Sequence, residues 1–310
     1  MKKLLALTLG ILLMEQPHAN AQDMIQKNNI TLKSDLMTPE ALWAMGRIGG
    51  AQASPDGSQV VYQVSYYSVK ANKSHTMLFI QSAKPSKNII APTQLTTDAK
   101  NETDAAWIEN GKKIAFLRDG QIWKMNPDGT NRVQLTNSKI DIEGFKFSPN
   151  GQRVILIKSL PYHGSIQQNP SDLPKASGRL VTDLNYRHWD HYVETIAHPF
   201  VADVKGDNIS DGVDILNGEP YECPLAPFGG IEQLDWSKDS KLVAYTCRKK
   251  TGVDYAISTD ADIYLYNIET RQSWNICKPK DYKAPHVDPT KSMRDQTVNH
   301  QSGDMNVGYD

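Results

Sequence analysis

A dense group of aromatic, acidic and histidine side chains lies near the middle of the chain, between residues 182 and 200. Metal binding is the first chemistry to weigh, because three imidazoles stand close together: His188, His191 and His198. Their spacing provides neither a fixed third ligand nor a Cys/His zinc pattern, and no helix signal holds them. The sequence therefore predicts no metal and no other cofactor.

Recognition of a peptide is the second chemistry open to this segment. Glu194 offers a carboxylate as the counter-charge for a positive group, and Trp189 and Tyr186 offer apolar walls beside it. Tyr66, which directly follows a predicted strand elsewhere, is expected to add a further wall, and Glu222 is the reserve carboxylate. A purely structural role, with the two aromatic rings packed under the rim of a sheet, remains an alternative.

An internal repeat indicates the scaffold that must position these residues. Four stretches read as a tight Asp/Asn-Gly or Asp-Ser turn followed by an apolar strand: residues 54–62, 108–116, 148–156 and 237–245. The turn positions are 57, 111, 151 and 240, so the steps between them are 54, 40 and 89 residues. A step near 40 is the size of a four-stranded propeller blade, and 89 corresponds to one blade plus a long insertion.

The residues around the turns repeat as well. An aromatic residue precedes the turn in three copies (Trp107, Phe147 and Trp236), and short closing strands are expected at 94–96, 134–136 and 275–277. The sequence therefore predicts an all-β fold: a partial β-propeller of about four blades with a long inserted hairpin at about 159–230. The repeated aromatic residues are expected to be buried between adjacent sheets. Unrelated hairpins in a sandwich are the alternative.

The first 21 residues are typical of a signal peptide. A charged start at Lys2 and Lys3 precedes an apolar run over residues 4–14, and Ala19-Asn20-Ala21 fits a cleavage site. Cleavage after Ala21 predicts a periplasmic or secreted protein whose mature form begins at Gln22.

Residues 22–47 are expected to form an N-terminal segment with one short helix, and residues 48–310 an incomplete propeller domain. Thr38-Pro39-Glu40 marks the start of the helix, with Thr as N-cap and Pro at the first helical position. Ala41, Leu42 and Met45 can form its apolar stripe before Gly49-Gly50 ends it.

The charge composition limits the classes of binding partner expected for this chain. Lys and Arg number 34 against 35 Asp and Glu, so no net field draws this chain to nucleic acid, and no nucleic-acid partner is expected. Beyond the leader, no apolar stretch is long enough to span a membrane. The three cysteines allow one disulfide at most; Cys247 and Cys277 fall in the same predicted blade and could pair, or the thiols stay free.

Several segments together resemble a known enzyme family: residues 36–40, 54–57, 186–190, 194–200 and 248–252. Over essentially the whole mature chain, the sequence resembles the N-terminal part of S9 (prolyl oligopeptidase family) serine peptidases of the bacterial dipeptidyl-peptidase 5 type. The resemblance implies a substrate-gating propeller followed by an α/β-hydrolase domain with a Ser-Asp-His triad. Such an enzyme releases dipeptides from the N-termini of peptide substrates.

One departure from that family is plain in the sequence. No G-x-S-x-G nucleophile elbow occurs in the 310 residues, so no catalytic residue is assigned, and the chain alone is expected to be inactive without a C-terminal hydrolase domain. Three functions stay open: the propeller of a dipeptidyl- or acylaminoacyl-peptidase-like enzyme, a non-catalytic periplasmic TolB-like propeller that binds a peptide or protein, and a truncation product with an open ring. A homodimer is also among the assemblies considered.

Overall fold

The computed structural model describes residues 25–31, 34–84, 90–162, 175, 193–257, 260–278 and 290, without the side chains of residues 253, 256 and 257. Within these ranges the chain forms four antiparallel sheets in sequence order. The signal peptide predicted over residues 1–21 lies outside the described residues. No helix in the described part is long and apolar enough to cross a membrane.

The described residues form seventeen strands and two short α-helices. The first sheet contains β1 (Arg47–Ala53), β2 (Gln59–Ser68), β3 (Lys73–Ser82) and β4 (Thr93–Gln94). The second contains β5 (Glu102–Ile108), β6 (Lys113–Arg118), β7 (Gln121–Met125) and β8 (Val133–Gln134). The third contains β9 (Ile142–Phe147), β10 (Arg153–Pro161), β11 (Thr195–Lys205), β12 (Asn208–Ile209) and β13 (Val213–Asp214). The fourth contains β14 (Leu234–Trp236), β15 (Leu242–Cys247), β16 (Asp262–Asn267) and β17 (Gln272–Asn275), and the helices are α1 (Pro39–Ala44) and α2 (Gly252–Ile257).

Each sheet is a meander in which consecutive strands are neighbours, so each is one propeller blade. The prediction of an all-β, four-blade propeller is confirmed. The start of α1 is also as predicted: Thr38 is the N-cap, its Oγ1 accepts from Ala41 N at 3.2 Å, and Pro39 follows it. Of the expected apolar stripe only Ala41 is buried, whereas Leu42 and Met45 are about half exposed.

The repeated turn owes its form to one set of hydrogen bonds. In the first blade Gly57 N donates to Ser54 O at 2.8 Å, and Gln59 N donates to Ser54 Oγ at 3.0 Å. In the third and fourth blades Ser148 and Ser237 accept the same two hydrogen bonds from the corresponding backbone N–H groups. The residues at positions 57, 111, 151 and 240 all have positive φ, which explains glycine in three copies and leaves Ser240 (φ 62°) as the exception.

Neighbouring blades are held together by apolar cores between their sheets. One core joins the first and second sheets through residues such as Leu78 and Phe116. A second joins the second and third sheets through Leu117 and Leu156, and a third joins the third and fourth sheets. Because every sheet is apolar on both faces where it meets a neighbour, stacking of the blades is what buries it.

The repeated aromatic residues pack against these cores, but to different degrees. Trp236 is buried, with 8% of its surface exposed, whereas Trp107 and Phe147 are half buried against the cores, so the predicted burial between adjacent sheets is met in full only at Trp236. The indole N–H groups explain why tryptophan stands before the turn in two of the blades. Trp107 Nε1 donates to Gln52 O at 3.1 Å, and Trp236 Nε1 donates to Lys146 O at 2.9 Å. Each tryptophan therefore ties its blade to the backbone of the preceding one.

The insertion predicted at about 159–230 is divided by strands of the third sheet. β11 pairs with β10 from Arg153↔Asp203 to Pro161↔Thr195, and β12 and β13 both pair with β11. The predicted range is too long, because the 89-residue step contains the third and fourth strands of the blade itself. The excursion proper leaves β10 after Pro161 and returns before Thr195, and residues 163–192 lie outside the described residues except for residue 175.

The strand order of the fourth blade separates the two cysteines that were considered as a pair. Cys247 is opposite Asp262 on β16, and Cys277 follows β17 on the other side of β16, where its Sγ accepts from Ile263 N. Two strand spacings amount to about 10 Å, beyond the roughly 7 Å that a disulfide allows between Cα atoms. All three cysteines are thiols, and Cys223 and Cys247 are buried.

Candidate functional site

The blades have two different ends. At one end, here called the turn end, lie the short turns that join the first strand to the second and the third strand to the fourth in each blade. At the other, here called the connection end, lie the β2–β3, β6–β7, β10–β11 and β15–β16 connections and the links between blades. The long excursion after β10 and helix α2 both belong to the connection end, so the chain varies most there.

Glu194 stands at the connection end of the third blade, where the excursion returns to the sheet. It is exposed and directly precedes β11. Its backbone carbonyl accepts from Tyr162 N at 2.8 Å, which extends the β10–β11 ladder by one step. The carboxylate is therefore carried on backbone that is fixed by the sheet. Tyr186 and Trp189, the predicted apolar walls, lie outside the described residues, and the structure does not test their place beside Glu194.

A small core closes the base of the excursion. Tyr162, Val193 and Ile196 are buried together, with 2–6% of their surfaces exposed. These three residues flank the points where the chain leaves and re-enters the sheet. The backbone of Glu194, which lies between two of them in sequence, is consequently held on a packed base.

Tyr66 lies at the connection end as well, but in the first blade. It is half buried near the end of β2, opposite His75 on β3, and its ring lies against Gly46: a Cβ there would stand 2.6 Å from Tyr66 Cε1. The second sheet separates the first from the third. The described residues therefore place Tyr66 and Glu194 at the same end of the molecule but in non-adjacent blades, with no contact between them.

Glu222, the reserve carboxylate, has a different environment. It is fully buried and accepts a hydrogen bond from the Tyr255 hydroxyl of α2. The guanidinium of Arg248 lies over the Tyr255 ring, 3.7 Å from its centroid. Burial, and next the neighbouring Glu222 carboxylate, raise the pKa of Tyr255 to about 12. Glu222 therefore holds α2 through this hydrogen bond, and it is not an exposed anchor for a ligand.

The two lysines after Arg248 are also paired. Lys249 Nζ stands 2.6 Å from Glu219 Oε2, and Lys250 Nζ stands 3.4 Å from Asp260 Oδ2. The run 248–250 thus binds the segment that enters the fourth blade to the β15–β16 connection. Sequence reasoning singled out both segments but not their contact, since charge pairing across about thirty residues leaves no local pattern.

Metal binding by histidine side chains is not supported by the residues that the structure describes. His198 is buried on β11, and its Nδ1 lies 2.9 Å from Asp214 Oδ2, so it pairs with a carboxylate. Within the described ranges no group of three His, Cys, Asp or Glu side chains is arranged to hold a metal ion. His188 and His191 lie outside those ranges.

Comparison with known proteins finds related sequences. Dipeptidyl-peptidase 5 of Porphyromonas endodontalis is 39% identical over 250 residues, which are 79% of this chain and 36% of that protein. Dipeptidyl-peptidase 5 of Porphyromonas gingivalis is 43% identical over 244 residues, 77% of this chain and 35% of that protein. The chain therefore spans about a third of the length of these relatives. No protein-family profile matches it.

Among solved structures, an acylaminoacyl peptidase of Pyrococcus horikoshii aligns with 76% of this chain and 33% of its own, at a TM-score of 0.49 and 13% identity. The β-propeller domain of the trilobed protease of Pyrococcus furiosus aligns with 75% of this chain and 57% of its own, at a TM-score of 0.40 and 13% identity. From the sequence relatives, the predicted resemblance to S9 peptidases of the dipeptidyl-peptidase 5 type is confirmed.

Proposed function

We propose that this relative of dipeptidyl-peptidase 5 is the substrate-admitting propeller of an exported S9 serine peptidase that removes dipeptides from peptide N-termini. The observation that carries the proposal is the 39% and 43% identity to two bacterial dipeptidyl-peptidases over more than three quarters of the chain. The leader-like residues 1–21 are consistent with export. The chemistry of bond cleavage is assigned to a hydrolase domain of the kind found in this peptidase family, since these residues contain no G-x-S-x-G elbow.

Within that function we assign to Glu194 the binding of the substrate's free ammonium group. A dipeptidyl peptidase must measure two residues from the N-terminus, and a fixed carboxylate can do so by pairing with the terminal charge. Glu194 fits because it is exposed at the connection end and its backbone belongs to an extended strand ladder. Tyr186, Trp189 and Tyr66 are proposed as apolar walls of the same face, with Tyr66 farther away in the first blade.

The test uses the full polypeptide encoded by the gene, assayed with dipeptidyl chromogenic substrates. Glu194→Gln is expected to raise KM about tenfold, because the amide keeps the shape but loses the charge that pairs with the ammonium group. kcat should change much less. Glu269→Gln is the matched control: Glu269 is also exposed, but it lies at the turn end between β16 and β17.

Two results would count against parts of this proposal. Unchanged KM in the Glu194→Gln enzyme would move the ammonium anchor elsewhere while leaving the enzyme class intact. Absence of any dipeptide release by the full polypeptide, with a folded protein, would reject the enzyme class and favour a non-catalytic propeller that binds peptides.

A further inference from the structure

Arg47 is held in an aromatic clamp at the start of β1. Its guanidinium carbon lies 4.9 Å from the centroid of the Trp43 ring and 4.6 Å from that of Tyr67. The two rings contact each other edge to face, with centroids 5.5 Å apart. Such stacking uses the flat face of the guanidinium and restricts its rotation, while its N–H groups point outward along the edge.

The edge of this guanidinium is available for a ligand. Arg47 is exposed and forms no ion pair with any residue that the structure describes. The arginines of the second sheet differ: Arg118 stands 2.5 Å from Asp98, and Arg132 stands 3.1 Å from the buried Glu102. Arg47 is thus positioned like a binding arginine but lacks the internal carboxylate that positions the others.

Its location connects it with the proposed substrate face. Arg47 is opposite Ser65 near the end of β2, so it lies at the connection end, and β1 is an edge strand of its sheet. A cleft of about 360 Å³ adjoins the clamp, lined by Trp43, Tyr67 and the β2–β3 turn. Lys73, also exposed and without an ion pair among the described residues, lines this cleft and adds a second positive charge.

We propose that the Arg47–Trp43–Tyr67 clamp binds a carboxylate of the peptide substrate on the same face as Glu194; this rests on the proposed peptidase function. An arginine edge and a carboxylate match in geometry and charge, and the cleft beside them, lined by the Trp43 and Tyr67 rings and by polar residues of the β2–β3 turn, gives room for neighbouring parts of the peptide. The carboxylate has two sources in a peptide, an acidic side chain or the C-terminus. Residues near both ends of a bound peptide would then be recognised, the ammonium by Glu194 and the carboxylate by Arg47.

Three matched peptides separate these sources when the full polypeptide cleaves them. The reference peptide has neutral side chains and a C-terminal amide; the second has a free C-terminal carboxylate, and the third replaces one neutral residue with Asp. At low salt, at least one carboxylate peptide is expected to have a kcat/KM about three- to fivefold above the reference, the range for a partly exposed ion pair. The preference should shrink in 0.5 M salt, where screening shortens the range of the interaction.

The variants assign that preference to the clamp. Arg47→Met should abolish the preference, so that the carboxylate and reference peptides have equal kcat/KM, and continued cleavage of the reference peptide shows that the variant is folded. Arg47→Lys should retain only part, since lysine keeps the charge but lacks the planar fork. Lys238→Met is the control: Lys238 is exposed in the β14–β15 turn at the turn end, and its loss should leave the preference intact.

Failure of this inference is distinguishable from failure of the enzyme assignment. If Arg47→Met and the unaltered protein show the same ratio between carboxylate and amide peptides, or if no such preference exists, the clamp does not bind a peptide carboxylate. If the full polypeptide cleaves no peptide, the enzyme class fails, and calorimetric titration with the same three peptides then decides on Arg47. Equal affinities for all three peptides would overturn the inference there too.

Discussion

The turn end of the blades repeats one local structure, whereas the connection end differs from blade to blade. At the turn end, Ser54, Ser148 and Ser237 repeat one pattern of side-chain and backbone hydrogen bonds within the turn. At the connection end no two blades are alike. The first blade carries Arg47 between Trp43 and Tyr67, and the third blade carries the excursion before Glu194. The fourth blade carries helix α2.

This difference separates residues that hold the blades together from residues available to ligands. Because these hydrogen bonds form within the turn, the same pattern can recur in the first, third and fourth blades although their neighbouring segments differ. The connection end has exposed charges and buried hydrogen bonds that depend on contacts between distant segments, as Glu222 with Tyr255 illustrates. Substitutions at the turn end should therefore change the free energy of unfolding, and substitutions at the connection end should also change ligand binding.

The largest stability effect is expected at Trp236, next to the turn of the fourth blade. Trp236→Ala removes a buried ring from the core between the third and fourth sheets and the hydrogen bond to Lys146 O. We expect a loss of about 3–5 kcal/mol in the free energy of unfolding of the full polypeptide, measured by denaturant titration. Trp107→Ala, at the half-buried copy, should cost clearly less. Equal losses would contradict the assigned difference in burial.

A smaller effect is expected at Tyr255, which fixes the connection end of the fourth blade. Tyr255→Phe leaves the buried Glu222 without this donor and should cost about 1–3 kcal/mol at pH 7. It should also change the pH dependence. The pKa of Tyr255 is about 12 in the folded chain against about 10 unfolded, so its contribution is complete below pH 10 and is lost as the pH rises to 12.

Unfolding measured between pH 9 and pH 12 tests that sign. The unaltered protein should lose stability across this window, and Tyr255→Phe should lose about 2 kcal/mol less. The pKa values of Tyr245 and Tyr264 are also raised by burial, so some decline will remain in the variant. Parallel pH profiles for the two proteins would show that ionisation of Tyr255 does not contribute to the pH dependence of the free energy of unfolding.

The scaffold could be predicted from the sequence, because its signals are local. The Asp-Gly turns, the Thr38 N-cap and the 40-residue step each depend on a few adjacent residues, and each is found where expected. The error over residues 195–214 has a non-local cause. The place of Thr195–Lys205 in the third sheet follows from its pairing with β10, which periodicity along the chain alone does not reveal.

The site was less predictable because its contacts join distant segments. Glu194 was chosen by charge and composition, and its strand-end position makes it exposed as required. Glu222 looked equivalent in sequence, but its burial under α2 results from contacts with residues about thirty positions away. Arg47 gave no signal at all, since a single arginine before a glycine-rich strand is ordinary until Trp43 and Tyr67 are seen to enclose it.

Ser240 offers a finer test of the repeated turn. It has φ 62° where the first and third blades have glycine, and its Oγ accepts from Asn150 N at 3.2 Å across the blade interface. Ser240→Ala keeps the left-handed backbone strain and loses that bond, so it should cost about 1 kcal/mol. Ser240→Gly loses the same bond but relieves the strain, and should be nearly neutral in the same denaturant titration. A glycine variant less stable than the alanine variant would show that strain is not what sets this turn apart.

The smallest expected effect is a gain, at Phe147 in the third blade. Trp107 and Trp236 donate to the carbonyls of Gln52 and Lys146, and the equivalent carbonyl in the second blade belongs to Ala106, as the strand registers show. Phe147 stands where a third indole would reach it but has no N–H to donate.

Space for the larger ring exists, because Phe147 is half buried and borders a cleft of about 460 Å³ that Trp107 also lines. Phe147→Trp should therefore add about 0.5–1 kcal/mol to the free energy of unfolding, seen as a rise of about 1–4 °C in Tm. Phe147→Leu is the control for ring packing and should lower stability. If Trp at position 147 is destabilising, the third blade differs from its neighbours in more than the missing donor, and the turn end is less regular than its hydrogen bonds indicate.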